Sequence, residues 1–193
     1  FGGDTLARQT PIITSNSLEV TYVGSGLEIT IRYWLTGGAD SADIAETIRI
    51  KNTAAVAQTV HLFQYSDFNL LGDPGNETAY ITDVRAMQEE GTVAISETSA
   101  IRQADRYEVG YYGDTLAKLT DGDADDLDMT SSITNPGNVT WAFQWDQTIG
   151  AGKTFIISKD KQLTVPEPAT MAFLAMGGLT MIAGAIRRRK VAR

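Results

Sequence analysis

The chain has 193 residues, with 24 acidic against 16 basic side chains and a formal net charge of −8. An acidic chain of this kind is a poor partner for nucleic acid, because phosphate contacts need a basic surface. It has no cysteine and one histidine, which excludes a disulfide framework, a thiol nucleophile and a Cys-ligated zinc or iron–sulfur site.

In chain order, period-two alternation dominates. A short strand is predicted over residues 18–23 and a clearer one over 27–36, where Leu27, Ile29, Ile31, Tyr33 and Leu35 share one face. Gly24-Ser25-Gly26 between them reads as a hairpin turn. After a loop at residues 37–41, residues 46–52 alternate again, with Ile48 and Ile50 inward. Strands are predicted at 59–65, 78–87, 92–97 and 106–112, with a turn-rich loop at 71–76 and a break at Glu89-Glu90-Gly91. Residues 114–119 read as a short helix with Asp114 as its cap. A long polar loop is predicted at 121–138. Residues 138–146 then place Val139, Trp141, Phe143 and Trp145 on one face, and 154–158 form a last strand. Short strands at even spacing, with almost no helical period, predict an all-β fold, an antiparallel β-sandwich with a jelly-roll-like variant as alternative. Residues 1–164 are expected to form one domain, with residues 159–164 as its only connection to the C-terminal segment.

The last 29 residues have a separate character. Val165-Pro166-Glu167-Pro168 is followed by 18 residues, 169–186, without a charge, and then by Arg187, Arg188, Arg189 and Lys190. As a helix the apolar run would span roughly 27 Å, close to the thickness of a bilayer core. A single transmembrane helix is therefore predicted over 169–186, with 187–193 as a basic tail that holds the C-terminus in the cytoplasm and the preceding domain outside. The two prolines favour an extended backbone that a processing enzyme can grip. Without the tail, 11 basic and 23 acidic residues remain, about −12, which suits a soluble exported domain. The chain begins at Phe1, so a secretory signal peptide is expected to have preceded it.

Pro166-Glu167-Pro168, one apolar helix and a terminal basic cluster, in that order, resemble the PEP-CTERM sorting signal of Gram-negative bacteria. The resemblance covers residues 165–193. It implies recognition by exosortase, a membrane-embedded cysteine transpeptidase that cuts near the Pro-Glu-Pro. It implies an inner-membrane-anchored precursor and delivery to the cell surface or an exopolysaccharide matrix. On this reading Val165, Pro166, Glu167 and Pro168 are the sorting motif and Arg187, Arg188, Arg189 and Lys190 the membrane stop. The segments 61–68, 139–146 and 155–161 resemble a recurrent outer domain of PEP-CTERM proteins that carries no assigned activity.

Candidate chemistry in the outer part is sparse, and no enzyme is expected. Asp121, Asp123, Asp125, Asp126 and Asp128 could arrange oxygens around calcium. Against a calcium-binding helix–loop–helix segment, however, Asp126 stands where glycine is needed and Ser132 where a bidentate Glu is needed. A solvated acidic loop is the expectation, with no cofactor. His61 alternates with Phe63 and Tyr65 and is expected on a strand face; no Gly-x-Ser-x-Gly elbow accompanies it. Trp141 and Trp145 are expected in the core, whereas Trp34 lies on the polar face of its strand and is the candidate exposed aromatic. A carbohydrate- or matrix-binding module would use Trp34; a hydrolase would need two carboxylates about 5–10 Å apart. A plain tail-anchored outer domain is the remaining alternative.

Overall fold

The structure is a computed structural model and describes residues 6–121 and 126–165. The described residues form twelve strands and one short helix, in the order β1 (Ala7–Arg8), β2 (Ile12–Ile13), β3 (Ser17–Gly24), β4 (Leu27–Gly37), β5 (Ser41–Asn52), β6 (Gln58–Asp67), β7 (Thr78–Thr82), β8 (Arg85–Glu90), β9 (Val93–Ser99), β10 (Arg106–Tyr111), α1 (Asp114–Thr120), β11 (Val139–Ile149) and β12 (Thr154–Thr164). The fold is all-β and antiparallel, in two sheets. The larger runs β1-β3-β4-β5-β12-β9-β8-β7, with β2 beside β3, and the smaller runs β10-β11-β6. Ile48, Ile50, Ile95 and Ile157 of the large sheet and Val60, Trp141, Phe143 and Trp145 of the small sheet belong to one buried cluster, as two layers facing across a shared core require.

Most strands lie where the alternation places them, because a one-residue slip would send each apolar set to water. The β3–β4 loop is the two-residue turn Ser25-Gly26, both with positive φ (51° and 73°), the geometry that matches strand twist in a tight hairpin. Four details differ from the sequence reading. Residues 78–87 are two strands, because Asp83 adopts φ 48° and reverses the chain; Asp tolerates that conformation better than most residues. Helix α1 is capped by Gly113, and Asp114 lies inside its first turn without a side-chain cap bond. Strand β11 is buried on both faces: Thr140, Ala142 and Gln144 are as inaccessible as the tryptophans, because α1 and the chain from Asp126 onward cover the second face. The fourth is the largest. Residues 159–164, expected to be a connection, are the second half of β12, a central strand paired with β5 and β9.

Among the described residues no helix is long and apolar enough to cross a membrane. The transmembrane helix predicted at 169–186, Pro166, Glu167, Pro168 and the basic residues 187–190 lie outside the described residues.

Candidate functional site

The inner face of β12 continues the register of Phe155 and Ile157 with two lysines. Lys159 lies opposite Glu46 on β5 and Ser99 on β9, and Lys161 opposite Glu97 on β9. Residues opposite one another on neighbouring strands share a face, so four charges meet inside the sandwich. Lys159 Nζ is 3.0 Å from Glu46 Oε2 and 3.2 Å from Glu97 Oε1, and Lys161 Nζ is 3.1 Å and 3.6 Å from the same two oxygens. Lys159 and Glu97 have no exposed side-chain surface, Glu46 has 4% and Lys161 has 13%.

The small sheet closes this cluster from the other side. Lys159 Nζ hydrogen-bonds Gln64 Oε1 on β6 and sits 5.7 Å from the Trp145 ring centroid. Ser66 Oγ (3.2 Å) and Trp141 Nε1 (3.4 Å) both donate to Glu97 Oε2. Burial works against the charge on Glu46, but Lys159 and Lys161 outweigh it and hold the carboxyl below its usual range. Burial also pulls Lys159 below the ordinary lysine value, against Glu97 and Glu46, which raise it. Tyr33, opposite Glu46 on β4, is pushed above the ordinary tyrosine value by burial and then by the Glu46 carboxylate.

A second buried polar group serves the chain path. Leu70 N donates to Glu77 Oε1 (3.0 Å), Leu71 N to Glu90 Oε2 (2.9 Å) and Gln88 Nε2 to Phe68 O (2.7 Å). These bonds seat the segment after β6, so that Phe68 stacks on Trp141 at 5.5 Å between centroids.

The acidic loop is tied to the domain where it is described. Asp126 accepts from Gln144 Nε2 at 2.6 Å and lies 3.6 Å from Arg106 Nε. Asp128 pairs with Lys118 at 3.1 Å and accepts from Thr130 Oγ1 at 2.7 Å. Asp121 follows α1 as its C-cap, and Asp123 and Asp125 lie outside the described residues. Among the described residues no group of three or more His, Asp or Glu side chains is placed to hold a metal ion. The hydrogen bonds from Thr130, then the one from Lys118, overcome burial and lower Asp128 to about 2. A depressed folded-state pKa adds stability above the unfolded value of about 4, which is lost as the pH falls towards about 2. The stability difference between wild type and Asp128→Asn is therefore expected to shrink between pH 4 and pH 2 in thermal melts, and a constant difference would contradict the pairing.

His61 lies on β6 and is exposed, with Nδ1 2.7 Å from Asp146 Oδ1 on β11. Trp34 is 50% exposed on the outer face of the large sheet. Its cross-strand neighbours are Ser17 and Ala45, and Ala45 lies opposite Asp160. Burial and then the neighbouring Asp43 carboxylate push Asp160 above its usual value. Trp141 and Trp145 are fully buried, as their alternation implies. The charged cluster escaped the sequence reading, although Glu46 shares the parity of Ile48 and Ile50, and Lys159 and Lys161 that of Phe155 and Ile157.

The end of β12 is where fold and signal meet. Val165 N still hydrogen-bonds Asp40 O at 2.9 Å, and Pro166, which has no N–H, comes next. The molecule is thus an antiparallel β domain whose central strand leads straight into its C-terminal signal. That signal is the PEP-CTERM protein-sorting motif, which matches residues 164–190. It marks an exported protein, handled as a membrane-anchored precursor and processed by exosortase. No curated protein matches the chain. Among solved structures it is similar to “Putative kojibiose phosphorylase from human microbiome”, with 10% identity and a TM-score of 0.45, over 88% of this chain and 20% of that one. This chain therefore spans about a fifth of the length of that protein.

Proposed function

We propose that this chain is an exosortase substrate whose β domain is set at the cell surface or in the exopolysaccharide matrix as a non-catalytic component. The observation that carries the reading is the sorting motif at 164–190, which starts at the last residue of β12. Pro166, Glu167 and Pro168 are the recognition element, residues 169–186 the membrane helix and residues 187–190 the cytoplasmic stop. The catalytic residues of sorting belong to the partner. The buried carboxylates support a structural role for this chain's own charges: Glu46 and Glu97 are held by lysines, Glu77 and Glu90 by backbone N–H groups. In the native host, wild type is expected to lose its tail and leave the inner membrane. A variant with Pro166, Glu167 and Pro168 all changed to Ala is expected to keep the tail and stay. Equal retention of both in the membrane would leave a plain tail-anchored domain.

A second reading concerns what the domain touches once displayed. Half-exposed Trp34, with small Ser17 and Ala45 beside it and the carboxylates of Asp43 and Asp160 one and two strands away, suits stacking on a sugar ring with polar edges held alongside. Trp34→Ala is expected to weaken retention on the host's own polysaccharide about tenfold, a loss of about 1.4 kcal/mol, without lowering the melting temperature. Unchanged retention would remove Trp34 from any such site.

A further inference from the structure

Lys159 Nζ contacts Gln64 Oε1 across the space between the two sheets, with the Lys159 side chain fully buried, Gln64 partly buried and a buried carboxylate at hand. The two oxygens of Glu97 are held differently, one by hydrogen bonds and the other by ion pairs alone. Its Oε2 accepts from Ser66 and Trp141, while Oε1 accepts no hydrogen bond from a described residue and faces Lys159 Nζ at 3.2 Å. An amine, a carboxamide and a positioned acid–base group, walled by Trp145, are the components of a transamidation. We propose that Lys159 and Gln64 join in an intramolecular isopeptide bond that ties β12 of the large sheet to β6 of the small one.

The step balances without an oxidant or cofactor. The Lys159 ammonium passes a proton to Glu97, and burial, which pulls the lysine below its ordinary value, favours the neutral amine. Nζ attacks Gln64 Cδ and forms the new C–N bond. Glu97 protonates Gln64 Nε2 and takes the second proton from Nζ. The Cδ–Nε2 bond breaks and the nitrogen leaves as ammonium, carrying away both protons that passed through Glu97. Nζ ends as an amide N–H, and Glu97 returns to its carboxylate. Lys161 then remains as the lysine partner of both carboxylates, 3.1 Å from Glu46 and 3.6 Å from Glu97. The reaction is a single intramolecular turnover, driven by placement, and lies outside the sorting reading. It would give an exported domain without cysteine a cross-link over a long stretch of chain, the role that disulfides serve elsewhere.

Intact mass spectrometry of the purified full chain tests this. The expected mass is about 17 Da below that of the sequence, the mass of ammonia, and a digest is expected to contain a branched peptide joining Lys159 to Gln64. Gln64→Met keeps the bulk and the ion pairs, and Glu97→Gln keeps the shape; both are expected to show full sequence mass while retaining the β spectrum of wild type. A folded wild-type chain at full sequence mass would overturn the proposal. So would a deficit of about 17 Da with no Lys159–Gln64 peptide, or one of about 18 Da, which would mean loss of water to a carboxylate instead. A persisting deficit in Glu97→Gln would remove Glu97 from the step.

Discussion

In a Gln64→Met background, where Lys159 keeps its charge, Lys159→Met is expected to destabilise the domain by about 3–5 kcal/mol. The change leaves Glu46 and Glu97, both buried, with Lys161 as their remaining lysine partner. Breaking a buried ion pair costs this much because the surviving charge has neither water nor its counterion. The whole cluster is not worth that amount, since gathering the charges in the interior carried its own desolvation cost. Replacing Lys159, Lys161, Glu46 and Glu97 together by apolar residues of similar volume is therefore expected to recover about 3 kcal/mol relative to Lys159→Met. Neither variant can form a covalent link through Lys159, so their difference isolates the electrostatics. Urea unfolding gives both values. A fourfold variant no more stable than Lys159→Met would show that the cost lies in packing.

Trp141→Ala is expected to cost about 3–5 kcal/mol, the range for deleting a fully buried large aromatic. Trp141 has no exposed surface; it stacks on Phe68 and donates to Glu97. Its loss would remove packing, a hydrogen bond to a buried carboxylate and the seat of the Phe68 segment. Trp34→Ala, on the half-exposed outer face, is expected to change stability by less than about 0.5 kcal/mol. The contrast in chemical denaturation checks which tryptophans are structural, and equal losses would contradict the burial of Trp141.

The strands were legible wherever one face is apolar and the other polar. Residues 27–36 are the clearest case, and the burial of Trp141 and Trp145 comes from the same alternation. Legibility failed where alternation carries charge inward. Lys159 and Lys161 keep the parity of Phe155 and Ile157, yet on sequence alone a lysine pair reads as a solvated connection. Only partners distant in sequence, Glu46 and Glu97, make the inward register tolerable. The 78–87 strand was misread for a local reason, one positive φ at Asp83 without a glycine to mark it. The presence of the sorting motif was legible because its parts are contiguous and each has its own composition, and the helix expected at 169–186 lies outside the described residues.

The route of β12 bears directly on sorting. Thr164 pairs with Ser41 and Ala94, and Val165 is still bonded to Asp40. A cut upstream of Val165 would open the centre of the large sheet, and among the described residues its ladder ends at Thr164. The direct measurement is the C-terminal peptide and intact mass of the form recovered from the cell surface of the native host. A mature chain that keeps all of β12 and ends near Pro166-Glu167-Pro168 is the expected result. A surface form that retains residues 187–190, or one cut upstream of Thr164, would contradict it.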